Sequence, residues 1–373
     1  MGEFRLQGSL LLCLLLLNTA VATAQKSQQY SHTHQQHFGV EEGLPQSYVT
    51  GIIQDKDGFI WISTLDGFCR YDGRGFKILR YRPDDSMSLA ANSINNLEAR
   101  TNNLVTLYYD GLLMDDFDLR SFKISRNTVL QKMRKIPNTL LQIRNIKNTS
   151  DNWPFILADY KGVGWVNSST GKILYANRAN HLLHQDTVSV MIESVEGKLY
   201  LVSENGVQVS DTGKQKFEWV PFATTIKKLP PYFDKNIPFE NVSIACLPHN
   251  KLVVYDMFKI TVLDISNKTS RVYPIPPPTT KGAVSTLRTV QVDAKGRPYI
   301  ENHGRVFRLN GQGELKLLWE NADNPGLRIS ALFIDRSDVL WLSVNAQGLL
   351  KIDLQVMPFN CLVTKPISFP IFW

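Results

Sequence analysis

The chain is 373 residues long, 43% hydrophobic and 20% charged, with a formal net charge of +7 and four cysteines. A chain of this length and apolar content can bury a sizeable core without staples, which excludes the disordered and small cysteine-framed classes. Its lysines and arginines stand singly on alternating positions, as on solvated strand faces, so no nucleic-acid partner is expected.

Residues 1–24 read as a secretory signal, with Arg5 ahead of the apolar run Leu10 to Leu17 and the small-residue pattern Ala22-Thr23-Ala24. That run is too short to cross a bilayer comfortably, and no later stretch reads as a membrane span. A periplasmic location is expected. Cys13 lies in this run; Cys69, Cys246 and Cys361 remain, an odd number without paired spacing, from which neither a disulfide framework nor a zinc set follows. Residues 25–37 form a polar linker holding His32, His34 and His37. A polar tract of this kind fixes no ligand geometry, and no metal or other cofactor is expected.

From Tyr48 the chain reads as short strands joined by turn signals. Tyr48 to Gln54 is a β-branched run ending at Asp55-Lys56-Asp57-Gly58. Phe59 to Thr64 follows, stopped by Leu65-Asp66-Gly67; then Phe68 to Tyr71, stopped by Asp72-Gly73-Arg74-Gly75; then Phe76 to Tyr81. Four such strands make an antiparallel meander that cannot bury both faces alone and needs a copy on each side.

The copies are present. An aromatic or apolar residue is followed by Asp or Asn in seven pairs: Trp61/Asp72, Val105/Asp116, Ile156/Asn167, Tyr200/Asp211, Val253/Asp264, Tyr299/Asn310 and Trp341/Asp353. Six pairs are 11 residues apart and the last 12, and successive first members are 44, 51, 44, 53, 46 and 42 residues apart. A repeat near 45 residues made of short strands marks a β-propeller blade, so the expected fold is all-β, a seven-bladed propeller of four-stranded antiparallel blades over 38–359. The ring must close, because open edges invite aggregation. Phe38 lies 11 residues before Val49, and the segment ending there is expected to supply the outer strand of the last blade. Two proline-bearing insertions, Ala223 to Glu240 and Pro274 to Ala283, read as surface loops between blades. Residues 360–373 form a tail that reads as a point of truncation.

The string Gly43-Leu44-Pro45-Gln46-Ser47-Tyr48-Val49, then Ile53 to Thr64, then Asp66-Gly67-Phe68-Cys69-Arg70-Tyr71-Asp72, resembles the two-component regulator propeller repeat. The pattern recurs in degraded form along the mature chain and returns clearly near Trp341. The resemblance implies the periplasmic sensor region of Bacteroidetes-type hybrid two-component histidine kinases. In that family two propellers precede an immunoglobulin-like domain, a membrane span and a kinase, and the propellers are implicated in detecting carbohydrate fragments. An oligosaccharide ligand, a second propeller or downstream sensor domains, and a homodimer mate are the partners it implies. Kinase activity is not carried over, since the family's kinase residues are not among these 373.

If the Val49-type strand is innermost, the loops between second and third strands gather on the face of the blade entries. Those loops place Asp66, Asp110, Tyr160, Glu204, Asp256, His303 and Asn345 there, a mixture of donors and acceptors suited to sugar hydroxyls. Taken singly, each is explained more simply as a turn residue. Trp61, Tyr200, Tyr299 and Trp341 hold the packing position and read as core, while Trp153 beside a polar loop is a candidate for sugar stacking. Asp84-Asp85 and Asp115-Asp116 read as turn residues, since adjacent carboxylates do not straddle a glycosidic bond. Neither a nucleophile elbow nor a His-Glu-x-x-His helix is present. No catalytic activity is therefore expected. The alternatives are a propeller-fold glycosidase or lyase, and a protein-binding scaffold.

Overall fold

The computed structural model describes residues 35–354, apart from 101–102, 111–112, 128–145, 149–153, 159–161, 167–172, 195, 223–241, 257–258, 278–288, 321–327 and 346. The signal segment, most of the polar linker, the first proline-bearing insertion, Trp153, Tyr160 and the tail lie outside those residues.

Seven four-stranded antiparallel sheets make the propeller. After β1 (Gln35–Phe38), blade one is β2 to β5: Val49–Gln54, Ile60–Thr64, Gly67–Tyr71 and Phe76–Leu79. Blade two is β6 to β9: Ile94–Ala99, Leu104–Tyr109, Met114–Asp118 and Ile124–Asn127. Blade three is β10 to β13: Ile146–Asn148, Pro154–Ala158, Gly162–Val166 and Ile173–Ala176. Blade four is β14 to β17: Val190–Glu193, Leu199–Ser203, Gly206–Ser210 and Phe217–Pro221. Blade five is β18 to β21: Ser243–Leu247, Lys251–Tyr255, Lys259–Asp264 and Thr269–Pro274. Blade six is β22 to β25: Val290–Val292, Pro298–Asn302, Arg305–Leu309 and Leu315–Glu320. Blade seven is β26 to β28: Ile329–Ile334, Val339–Val344 and Gly348–Asp353, with β1 as its fourth strand. The first strands of neighbouring blades pack on one another, β2 against β26 and β6, so the Val49-type strand is innermost.

Closure takes the expected form. β1 pairs with β28 from Gln35↔Ile352 to Phe38↔Leu349, three residues earlier than the expected start of the propeller, so Gln35, Gln36 and His37 belong to a strand rather than to the linker. The Phe38 ring lies 5.1 Å from that of Tyr71, 5.6 Å from Phe76 and 6.3 Å from Trp341, filling the seam between blades seven and one. Gly348 makes this approach possible. At φ +96° it adopts a conformation open to glycine, and a Cβ there would lie 2.3 Å from the Phe38 carbonyl oxygen.

Within the blades, an aspartate and an aromatic residue act together. Asp55 accepts the Phe59 backbone N–H (2.9 Å) through one oxygen and the buried Trp61 indole N–H (2.7 Å) through the other. Asp335 does the same for Val339 and Trp341, at 3.0 Å each. In blade six Asp293 takes the Arg297 N–H and the Tyr299 hydroxyl. The carboxylate thus stabilises the turn and satisfies the one polar atom of a side chain that otherwise only packs. In blade two, where the Arg100 N–H closes the same turn onto the Leu104 carbonyl, Arg100 stands in place of the acid and Thr106 in place of the aromatic; in blade five Leu247 and Val253 hold those positions. In blade four Ser194 stands there, and the Tyr200 hydroxyl donates to Asn250 of blade five. Trp61, Tyr200, Tyr299 and Trp341 are all core residues, as expected.

Blade two corrects two expectations. Asp115 and Asp116 are not turn residues; they lie in β8, opposite Leu107 and Thr106. Asp115 is fully buried and accepts from Tyr109, the Ala90 N–H and Arg126; burial pushes its carboxyl up, and these partners oppose the shift. Asp116 accepts from Arg100, Thr106 and Asn127. The turn acid of this blade is Asp118, which accepts the Arg120 and Ser121 N–H groups. Asp84-Asp85, by contrast, lies in a turn, where Asp85 accepts the Met87 N–H. Pro274, expected in a loop, is the last residue of the outer strand β21. Neither Cys69 nor Cys246 is in a disulfide, and burial pushes the Cys69 thiol well above its usual range.

Substituting Asp55→Ala strands the Trp61 indole N–H in the core and is expected to lower stability by about 1–3 kcal/mol. In a Trp61→Phe background the further loss should be smaller, leaving only the turn bond. A double-mutant cycle by denaturant unfolding measures this coupling; zero coupling would contradict the pairing.

Candidate functional site

The second-to-third-strand loops lie on the face of the blade entries. Val49 pairs with Thr64, and the Leu65 N–H donates to the Tyr48 carbonyl, which brings the Asp66 loop beside the start of the innermost strand. The Asn345 N–H donates to the Arg328 carbonyl, repeating the arrangement in blade seven, and in blade four the Phe222 N–H at the end of the outer strand donates to the Asn205 carbonyl of the loop.

Most of the expected residues are held locally. Asp66 is ion-paired with Arg80 at 3.0 Å, and Arg80 also donates to the Asp66 carbonyl. Both side chains are more than two-fifths exposed, so the pair contributes little to stability. Asp110 is exposed and accepts from Asn95 at 2.6 Å. Glu204 is half-buried in its turn. Asp256 is buried, accepting the Lys259 N–H at 3.0 Å with the Lys259 ammonium 3.9 Å away. His303 adopts a left-handed φ of 54° and its Nδ1 meets the Asn302 side-chain oxygen at 2.8 Å. Asn345 is half-buried in a turn. The topology thus brings the described six to one face, but on different footings: Asp66 and Asp110 are open to a ligand, whereas Asp256 supports its turn.

Two groups on this face were not foreseen. The first is a set of bulges at the start of the inner strands of blades one, two and seven, where the register shifts between Val49 and Gly51, Ile94 and Asn96, and Ile329 and Ala331. The inserted residues are Thr50, Asn95 and Ser330. Thr50 donates to the Ile94 carbonyl of the next blade (2.7 Å) and meets the Ser63 hydroxyl at 2.8 Å, a distance Ser330 repeats with Ser343. A bulge re-aims one side chain and binds neighbouring strands at the mouth of the ring. Its sequence signal is a polar residue that breaks the apolar alternation, as in Val-Thr-Gly and Ile-Ser-Ala. The second group is a buried polar knot between blades five and six. Asn302 donates to the Tyr255 hydroxyl at 2.8 Å, the Gly304 N–H donates to Glu301, and Arg305 donates to the Pro276 carbonyl. Burial lowers the Arg305 pKa, and its guanidinium lies 5.0 Å from the Phe307 ring.

Residues 43–66 match the family model of the two component regulator propeller. The chain is 38% identical over 76 residues to histidine kinase P4 of Formosa agariphila, a match covering 20% of this chain and 6% of the kinase. In fold it is similar to the extracellular domain of a B. thetaiotaomicron protein described as hybrid two component system BT3049, with TM-score 0.55, 16% identity, and coverage of 85% of this chain and 41% of that one. It is similar too to virginiamycin B lyase of Staphylococcus aureus, with TM-score 0.59, 12% identity, and coverage of 87% and 99%. The chain therefore spans only a small part of the kinase and about two fifths of the B. thetaiotaomicron domain.

The two kinds of carboxylate separate by experiment. Asp66→Ala is expected to change stability by less than about 1 kcal/mol, as for an exposed pair. Asp256→Ala, which removes a buried acceptor, should cost about 1–3 kcal/mol. Equal losses in thermal or denaturant unfolding would contradict this division of the face.

Proposed function

We propose that this chain, a propeller bearing the two component regulator propeller motif, is a non-catalytic, extracytoplasmic ligand-sensing module of a two-component system. The observation that carries this reading is the match at 43–66, which falls in the blade that meets the closing seam. In the proposed mechanism a carbohydrate fragment in the periplasm is the ligand, bound on a ring of blades that stays rigid. A second propeller, downstream sensor domains or a homodimer mate would then read the change in preferred arrangement. A bound ligand shifts such an equilibrium only by its difference in affinity between the two arrangements. Shifting it from mostly off to mostly on takes a preference of about 10⁴-fold.

The described carboxylates of the blade-entry face suit binding: Asp66 and Asp110 are exposed beside Arg80 and Asn95 and can accept from a ligand, while Asp256 is buried in its turn. The decisive test places a panel of neutral and acidic oligosaccharides on the purified chain and follows both melting temperature and ligand integrity. A sensor is stabilised by about 2.7 kcal/mol at a hundredfold excess over Kd and leaves the sugar intact. Turnover of any panel member would replace this reading with that of a propeller-fold hydrolase or lyase.

A further inference from the structure

Opposite the blade-entry face, between blades five and six, the wall of the propeller opens into a cleft of about 570 Å³. Blade five shows why. Lys251, Asp264 and Thr269 stand opposite one another across β19, β20 and β21; the next row is Val253, Val262 and Arg271, and the next Tyr255, Ile260 and Tyr273. Alternate residues of a strand share a face, so all nine side chains point the same way, toward blade six. The part of that face formed by Val253, Tyr255, Ile260, Val262 and Tyr273 packs on Ile300, Leu309 and their neighbours. The corner formed by Lys251, Asp264, Thr269 and Arg271 instead lines the cleft, facing Lys295, Arg297 and Asn310 of blade six.

The same place between blades one and two is filled. There the row matching Val253, Val262 and Arg271 is Trp61, Arg70 and Lys77. Phe122, a residue at φ 60° in the β8–β9 turn, sits over it: its ring is 5.4 Å from that of Trp61, 4.1 Å from the Lys77 ammonium and 5.3 Å from the Arg70 guanidinium. In blade six the left-handed residue of the corresponding β24–β25 turn is Gly313, at φ +89°. It has no side chain, and Tyr273 lies so close that a Cβ there would be 2.3 Å from its ring. One turn carries a plug and the other carries none.

The unplugged cleft has a defined charge pattern. Arg297 is paired with Asp293 and Asp338, Lys295 with Asp338, and Lys251 stands 3.7 Å from Asp264. Lys295 and Arg297 hold the Asp338 carboxyl below its usual range. Of the four cations that line the cleft, Arg271, whose counterpart Lys77 is covered by an aromatic ring, is exposed and is the one without a carboxylate partner among the described residues. Around it stand Thr269, Asn267 and Asn310 as hydroxyl and amide groups, with the Tyr273 ring as an apolar wall. That combination suits a sugar: hydroxyls for the amides, a C–H face for the ring, and an acidic substituent for the guanidinium. The volume falls in the range that holds an organic ligand rather than a bare ion.

We infer that the cleft between blades five and six binds a short oligosaccharide bearing a carboxylate or sulfate group, with Arg271 taking the acidic substituent. This deepens the sensor reading and rests on it. The test uses the full chain and two variants, Arg271→Ala and Gly311→Trp. Gly311 lines the cleft, and a Cβ there meets nothing within 4 Å, so the indole can fill the space without disturbing the fold. A thermal melt confirms that both variants fold. Trigalacturonic acid, a sulfated galactotriose and neutral galactotriose are titrated calorimetrically against all three proteins, with inorganic sulfate as a further probe.

The inference predicts that at least one acidic trisaccharide binds, more tightly than the neutral one and than sulfate, and loses at least tenfold in affinity in both variants. Which of the two acids binds identifies the substituent. Acidic sugars that bind the variants as tightly as the native chain would overturn the cleft while leaving the sensor reading in place. Preference for the neutral trisaccharide would overturn the ligand class. If none of the trisaccharides binds, the cleft assignment fails; if the wider panel then also fails to bind, the carbohydrate-sensor reading fails with it.

Discussion

The structure depends on a four-residue strand that comes from the far end of the chain. Six blades are continuous hairpin meanders whose strands follow one another in sequence, but the seventh borrows β1 from residues before blade one. Without it β28 would present a bare edge, and blade one would lose Phe38 from the seam it shares with blade seven. Burying one phenylalanine contributes about 1.5–3 kcal/mol, and the paired backbone adds to it. The larger consequence is geometric. A closed ring fixes where every loop of the face lies, so the candidate sites inherit their precision from this closure.

The ring is also drawn together along the opposite face. Arg336 of blade seven donates to the carbonyls of Asp55 and Lys56 in blade one, and its N–H to Gln54. Lys295 and Arg297 of blade six reach Asp338 of blade seven. Gly296 of blade six takes Pro248 of blade five where a Cβ would not fit. These contacts join four successive turns. They also hold Lys295 and Arg297 in place at the mouth of the cleft, which links blade-to-blade packing to the presentation of charge.

Much of this was legible from the residues, and the reasons are local. Trp61, Tyr299 and Trp341 each have their aspartate six residues earlier, so turn and core position are written together and blades one, six and seven stand out. Blade two was out of phase because four residues, Asp110 to Leu113, separate β7 from β8, against two, Leu65 and Asp66, in blade one. That places Asp116 inside a strand and passes its turn role to Asp118. Asp115 could not be recognised as buried, because the groups that satisfy it, Arg126, Tyr109 and the Ala90 N–H, come from other elements. Six of the seven loop positions are described and lie in the second-to-third-strand turns, yet which of them are open depends on partners such as Arg80 and Lys259 that only the packing reveals. The cleft was least legible: it lies beside the turn where Tyr273 packs on Gly313, whereas the corresponding turn of blade two carries Phe122.

The propeller ring closes through β1. The most direct test of this closure is hydrogen exchange of the β26–β28 amides in the native chain and in a variant carrying His37→Pro, which cannot continue the β1 ladder. Closure predicts that the variant loses protection in β28 first and in the rest of blade seven with it, together with a lower melting temperature. Unchanged protection of the Gly348–Asp353 amides would show that blade seven stands without β1, and the ring would have to be closed in some other way.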